Sequence, residues 1–294
     1  MKVLNQEITE NYKLYHGDSC EIMKGIPDDY LDYSIFSPPF IDLYTYSDDI
    51  RDLSNNRNEN EFFMQFEIII KELKRALKKG RLVSIHCMDL PTAKFKDGFI
   101  GLKDFPGQII KLLQDNGFIY HSRVTIWKDP VIAMQRTKAL GLLHKQLKKD
   151  SAMSRQGVAD YILTFRNGEG NEVPITHTKE SFPVDLWQQY ASPVWMDINQ
   201  SNTLQKTSAR DEKDEKHISP LQLDVIERCI NLWSNKNEIV FTPFMGIGSE
   251  IYQALKMKRK GLGIELKESY YKQAVLNCER AIAEGEQISL FGDD

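Results

Sequence analysis

Three short stretches carry residues that could do chemistry. In "YSIFSPPF" (33–40), strand-forming residues run into Ser37, Pro38, Pro39 and Phe40. Neither proline has a backbone N–H, so the strand must stop there, leaving a hydroxyl, a stiff exposed backbone and an aromatic face at its tip. In "IVFTPFMGIGSE" (239–250), an apolar strand runs into Gly246 and Gly248 and a helix follows. Glycines at such a point let the backbone turn tightly and approach a ligand with no Cβ between. In "GLGIEL" (261–266) the next strand ends at Glu265, where a carboxylate can accept both hydroxyls of a ribose. Strand, GxG, helix, strand and glutamate together point to a bound nucleoside. Glu250 and Ile251 stand where a dinucleotide GxGxxG would need its third glycine, and the loop has no GK[ST], which excludes a P-loop nucleotide.

Such residues need a frame that collects strand tips. Apolar runs at 12–18, 31–36, 81–90, 118–127, 161–166, 238–244 and 261–266 read as strands. Between them, 60–80, 105–117 and 220–234 have helical spacing, as do "SEIYQALKMKRK" and "SYYKQAVLNCERAI". Gly80 is expected to stop the first of these helices, and Ser19 to cap a short one at "SCEIMKGIP". The alternation predicts an α/β fold with a mostly parallel sheet covered by helices on both faces, its ligands beyond the carboxyl ends of the strands. After residue 167 the pattern lapses. Trp187, Tyr190 and Trp195 in that stretch read as anchors to a core or another subunit, or as side chains that read DNA.

The chain has 294 residues, 41% apolar and 27% charged, which suits a soluble globular protein. No apolar run is long enough for a membrane span, and the start lacks the apolar core of a signal peptide, so a cytoplasmic protein is expected. Cys20, Cys87, Cys229 and Cys278 are scattered and have no histidine at ligand spacing; they read as reduced thiols, with no metal. Net charge is −4, yet Arg123, Lys128, Arg136, Lys138, Lys145, Lys148, Lys149 and Arg155 cluster against only Asp129 and Asp150. Such a patch on an acidic protein points to a polyanion or forms a solvated helix face.

The motifs resemble the β-class amino-methyltransferases of DNA, which transfer a methyl group from S-adenosylmethionine to adenine N6 or cytosine N4. Their tetrapeptide [DNS]PP[YFW] is here Ser37-Pro38-Pro39-Phe40, and their DPFxGxGT motif is here "TPFMGIGSE", with Thr242 for the aspartate and Ser249 for the threonine. The tetrapeptide precedes the cofactor glycines, as in the β-type order. The resemblance covers 12–127, 161–166 and 217–280, and "LYTYSDD", "KALGLLHKQLKKD" and "ASPVWMDI" look most like a phage-associated branch. It implies a Rossmann-like methyltransferase fold with a mostly parallel seven-stranded sheet, in one domain spanning 1–294. It also implies a cofactor site of Asp18, Phe244, Gly246, Gly248, Ser249 and Glu265, with Asp18 at the adenine. Duplex DNA is the implied substrate and a homodimer the implied assembly, in a bacterial or phage-encoded protein. The basic stretch 128–160 would contact DNA through Arg136, Lys138, Lys145, Lys148, Lys149 and Arg155. The stretch 168–214 would recognise the target or join two copies.

The chemistry explains the residue types. The exocyclic amine is a poor nucleophile because its lone pair is delocalised into the ring. Ser37 Oγ and the Pro38 carbonyl, held by the rigid diproline with Pro39, could grip its hydrogens and turn the lone pair outward. Phe40 offers a surface on which a base rotated out of the duplex can stack. The cofactor's methyl is already activated, so no strong base is needed, and His16 and His86 read as satisfied core or loop histidines. A serine accepts from either amine, so both bases remain, with adenine favoured. Three other readings stand beside this one: an RNA or protein amino-methyltransferase, a nicotinamide oxidoreductase and an inactive DNA-binding relative.

Overall fold

A computed structural model describes residues 3–39, 59–137, 140–204 and 220–291. Strand β3 (Leu31–Phe36) is buried along its whole length, as a central strand covered on both faces must be. In chain order the other strands are β1 (Asn5–Ile8), β2 (Tyr12–His16), β4 (Leu77–Met88), β5 (Leu90–Pro91) and β6 (Leu102–Lys103). They continue with β7 (Ile119–Ile126), β8 (Asp160–Arg166), β9 (Val194–Trp195), β10 (Ile239–Thr242) and β11 (Lys260–Glu265). The helices are α1 (Ser19–Ile22), α2 (Glu59–Ala76), α3 (Lys94–Asp97), α4 (Phe105–Asp115), α5 (Pro130–Thr137), α6 (His144–Lys149), α7 (Val184–Tyr190), α8 (Leu223–Trp233), α9 (Ser249–Lys256) and α10 (Glu268–Phe291).

The main sheet runs β1-β2-β11-β10-β3-β4-β8-β7-β9. From β2 to β4 the neighbours are parallel, and β8 and β7 continue antiparallel. The expected sheet of seven is therefore nine. Its central seven carry one extra strand at each edge, β1 paired antiparallel to β2 and β9 parallel to β7. Phe62, Phe66, Ile69, Ile70 and Leu73 of α2 pack with α1 and α4 on one face. Helices α8, α9 and α10 bury Val225, Ile230, Ile251 and Ala274 on the other. Arg81, 3% exposed, locks the strand beginnings: it donates to the Asp32 carbonyl (2.7 Å) and the Val173 carbonyl (2.8 Å) and pairs with Glu238. Among the described residues, no helix is long and apolar enough to cross a membrane.

Two local expectations fail for clear reasons. Helix α2 ends at Ala76, because buried Leu77 already pairs with Leu31 as the first residue of β4. Gly80 instead sits inside β4 at φ +75°, where an added Cβ would lie 1.7 Å from the Gly170 carbonyl oxygen. The cap of α1 is Asp18, which accepts from Cys20 N at 2.9 Å, while Ser19 Oγ donates to the Pro243 carbonyl at 2.5 Å. The described part of the irregular stretch, 168–204, is part of the fold. Trp195 is buried, its Nε1 donates to the Tyr190 carbonyl at 3.1 Å, and the Arg228 guanidinium lies over both rings. Trp187 stays half exposed.

Glu250, in the first turn of α9, is buried. Burial, reinforced by the Glu265 charge, pushes its carboxyl from 4.5 up to about 8. The folded chain thus holds a proton that the unfolded chain has lost, so stability falls as pH rises from 4.5 to about 8 and levels off above. Glu250→Gln should remove that slope and exceed the parent by a few kcal/mol at pH 8, with a much smaller gain at pH 5. Urea denaturation at the two pH values measures it, and an equal gain at both would contradict the assignment.

Candidate active site

Parallel pairing sets the site. Phe36 is opposite Ile85 in the β3–β4 register, so the next residues out, Ser37 and His86, stand side by side at the strand ends. Ser37 is half-buried with its Oγ 2.8 Å from His86 Nδ1; Pro38 is buried and Pro39 half-buried. Phe40 lies outside the described residues.

The second tip is the loop after β10. It lies beside β3, with Phe241 opposite Ser34, and the Phe244 ring meets Phe36 edge-on at 5.7 Å. Phe244 is half-buried and also rests on Phe66 at 6.2 Å. Thr242, at the aspartate position of the motif, is fully buried, and its Oγ1 has no hydrogen-bond partner among the described residues. The two glycines do different work. Gly246 has φ +54° and an added Cβ would meet nothing within 4 Å, so bare backbone faces open space. Gly248 has φ +86° and caps α9, and there an added Cβ would press on Ala274 of α10 at 3.1 Å. Ser249, the first residue of α9, is buried.

Glu265 ends β11 beside this loop. Its Oε2 accepts from Gly246 N at 2.7 Å and its Oε1 from Lys267 N at 2.9 Å. Gly17 N donates to the Glu265 carbonyl at 2.9 Å, which brings half-exposed Asp18 to the same edge. An open glycine face, a strand-tip carboxylate and the half-buried Phe244 ring suit the nucleoside part of S-adenosylmethionine. Of the cofactor residues expected from sequence, Asp18, Phe244, Gly246 and Glu265 converge here, while Ser249 and Gly248 shape the helix behind them.

The basic insertion joins β7 to β8, antiparallel neighbours that a short turn could connect. Lys145, Lys148 and Lys149 on α6 are exposed. Arg155 is half-buried, its Nη1 donating to the carbonyl of exposed Gln156 at 2.9 Å. Lys138 and the side chain of Arg136 lie outside the described residues. Two members of the charge cluster are used within the sheet: Arg123 sits over the Tyr161 ring at 5.4 Å, and Lys128 Nζ is 2.5 Å from Asp160 Oδ2.

Sequence reasoning missed two groups. The β5–β6 hairpin carries Lys94-Phe95-Lys96 at its tip, with Phe95 94% exposed. Lys94 Nζ donates to Met153 Sδ at 3.4 Å, and Ile100 lies near Gly141, so this tip stands against the basic insertion. An aromatic between two lysines was the available signal. The other group is His86. Its Nε2 lies 3.1 Å from Asp160 Oδ2, and Asp160 is 2% exposed. Burial works to raise the Asp160 pKa, but His86 and Lys128 beside it outweigh that and hold the carboxyl below its usual range. His86 is thus partnered, as a satisfied histidine should be, but by the strand-tip serine and a buried carboxylate, which the sequence did not indicate. His16 does read as satisfied, with Nε2 3.0 Å from the Leu266 carbonyl oxygen and its ring stacked on Tyr271.

Residues 31–276 match the family model described as DNA methylase. The type II β methyltransferase M.BslI of Bacillus sp. (strain NEB-606) is 25% identical over 93% of this chain, which spans only 28% of that longer protein. The type II methyltransferase M.ScaI of Streptomyces caespitosus is 23% identical over 96% of this chain and 84% of its own length. Among solved structures, TTHA0409 of Thermus thermophilus in complex with S-adenosyl-L-methionine superposes with a TM-score of 0.68 at 19% identity, covering 92% of this chain and 96% of that one. The fold is thus that of an S-adenosylmethionine-dependent methyltransferase, and the chain belongs to the N6/N4 DNA methylase family as an S-adenosylmethionine-dependent DNA amino-methyltransferase.

Proposed function

We propose that this chain methylates adenine N6 in duplex DNA on a base rotated out of the helix, with Ser37 Oγ and the Pro38 carbonyl accepting from the target amine. The observation that carries this is the paired tips: Ser37 follows Phe36, whose ring touches Phe244 at the entrance of the cofactor loop. Bound S-adenosylmethionine supplies the activated methyl group. Gly246 and Glu265 orient it, Asp18 approaches its adenine, and Phe40 stacks on the extruded base. What favours adenine is the resemblance of "LYTYSDD" and "KALGLLHKQLKKD" to the phage-associated branch; cytosine N4 is the alternative. Lys145, Lys148 and Lys149, with Arg136, Lys138 and Arg155 in the same 128–160 insertion, contact phosphates. The stretch 168–214 carries target recognition or the contact between two copies. Exposed Val184, Trp187 and Met196 support the second role.

The direct test is methyl transfer from labelled S-adenosylmethionine to duplex DNA, with the product digested and its nucleosides weighed. Label in N6-methyladenine is the expected result, and label in N4-methylcytosine would reassign the base. Ser37→Ala should slow transfer at least about 100-fold with cofactor affinity unchanged, since the lost acceptor faces only the amine; unaltered turnover would remove Ser37 from the site. For Glu265→Ala, calorimetry should show weaker cofactor binding, roughly tenfold or more, because both the ribose acceptor and the Gly246 turn are lost. Equal affinities would leave Glu265 a purely local brace. Neutralising Lys145, Lys148 and Lys149 together should flatten the salt dependence of DNA binding by about 0.9 per lost contact. An unchanged slope would make α6 a solvated face.

A further inference from the structure

Four side chains from four adjacent strands or their ends form one line. Ser37 Oγ is 2.8 Å from His86 Nδ1, His86 Nε2 is 3.1 Å from Asp160 Oδ2, and Lys128 Nζ is 2.5 Å from the same oxygen. The line follows from register. Met88 is opposite Asp160 and His86 opposite Ile162, so Asp160 is the diagonal neighbour of His86 on one face of the β4–β8 pair. Ile126 is also opposite Asp160, which puts Lys128, two residues on, at that carboxylate.

Hydrogen-bond capacity orients the line. An ionised carboxylate only accepts, so the ring nitrogen facing Asp160 carries the proton, and in the neutral imidazole Nδ1 then keeps its lone pair. Ser37 must then donate its hydroxyl hydrogen to Nδ1, leaving Oγ only lone pairs to offer on the other side.

We propose that His86, set by Asp160 and Lys128, is a positioning residue that fixes Ser37 as an acceptor for the target amine and receives through Ser37 the proton that the amine sheds. This rests on the methyltransferase reading above. The balance is simple. As the nitrogen bonds to the methyl carbon, the carbon–sulfur bond of the donor breaks and its electron pair stays on sulfur. The methylated nitrogen passes one proton to Ser37 Oγ and keeps the N–H electron pair. The serine's own proton moves to His86 Nδ1, and the imidazolium, paired with Asp160, gives it to solvent after product leaves.

The experiment uses unmethylated genomic DNA and labelled S-adenosylmethionine under single-turnover conditions. Transfer by the parent enzyme establishes the underlying activity independently of His86. His86→Ala should then fall about 100-fold in rate with DNA and cofactor affinities unchanged, and added imidazole should restore at least about tenfold. In the Ser37→Ala background the same substitution should cost nothing further, because it acts through that hydroxyl. A purely structural histidine would give no imidazole rescue and an additive double variant, and either result would overturn the proposal. If His86→Ala does not fold, His86→Gln and Asp160→Asn carry the same test of non-additivity with Ser37→Ala. Nitrogen NMR of the unliganded parent adds a readout without turnover: Nε2–H is expected on His86, and an Nδ1–H ring would overturn it.

Discussion

The register between β3 and β4 is the constraint on which the site depends. With Phe36 opposite Ile85, the residue after each strand's last shared pair falls at the same height, and those residues are Ser37 and His86. A slip of one residue would turn every side chain of β4 to the other face of the sheet. It would bury His86 under the helices and aim Ile85 at the serine. The packing forbids the slip: Ile85 and Cys87 belong to the core shared with Phe66 and Ile109, on the face covered by α2 and α4. The hydroxyl pair Ser84 and Thr164, 3.0 Å apart, lies on the face that His86 shares. The hydrophobic core on one face thereby fixes a polar line on the other.

The cofactor end is organised by a different device. Glu265 spends one oxygen on Gly246 N and the other on Lys267 N, so the carboxylate that would hold the ribose also holds the loop that approaches it. A fixed acceptor at a strand tip loses little side-chain freedom when ligand arrives, and that favours affinity. Gly248 works on the other side of the turn, where α10 comes too close for any side chain. One glycine thus leaves bare backbone toward open space and the other serves the packing.

Much of this was legible in the sequence because it is local. Strand, turn glycines, helix and strand-tip glutamate sit within 27 residues, from Ile239 to Glu265, and each is set by backbone rules that act over a few positions. The diproline announces its strand end for the same reason. What was not legible needed pairing across distance. Nothing near His86 in the chain marks Asp160, seventy-four positions on, as its neighbour; only the antiparallel return of β8 does so. The edge strand β9 escaped because two residues carry no period, and its anchor Trp195 depends on Arg228 from a distant helix. Gly80 misled because a glycine after a helical stretch usually ends the helix. Here the demand came from the close approach of the backbone at Gly170.

A serine in the first position of the tetrapeptide poses a problem that a carboxylate would not. A hydroxyl can turn its hydrogen toward the amine and donate to the very lone pair that must attack, which would oppose transfer. An acceptor for that hydrogen on the far side of the serine removes the option, and His86 Nδ1 is that acceptor at 2.8 Å. Such a histidine needs its other nitrogen held to the protonated form, hence a carboxylate at Asp160. A carboxylate that is 2% exposed carries a desolvation cost of several kcal/mol unless a cation accompanies it. Lys128 supplies the cation, and this accounts for its withdrawal from the basic insertion that begins at its own position. The charge cluster seen in the sequence therefore divides in two: its first lysine neutralises a buried carboxylate behind Ser37, and the lysines of α6 stay exposed.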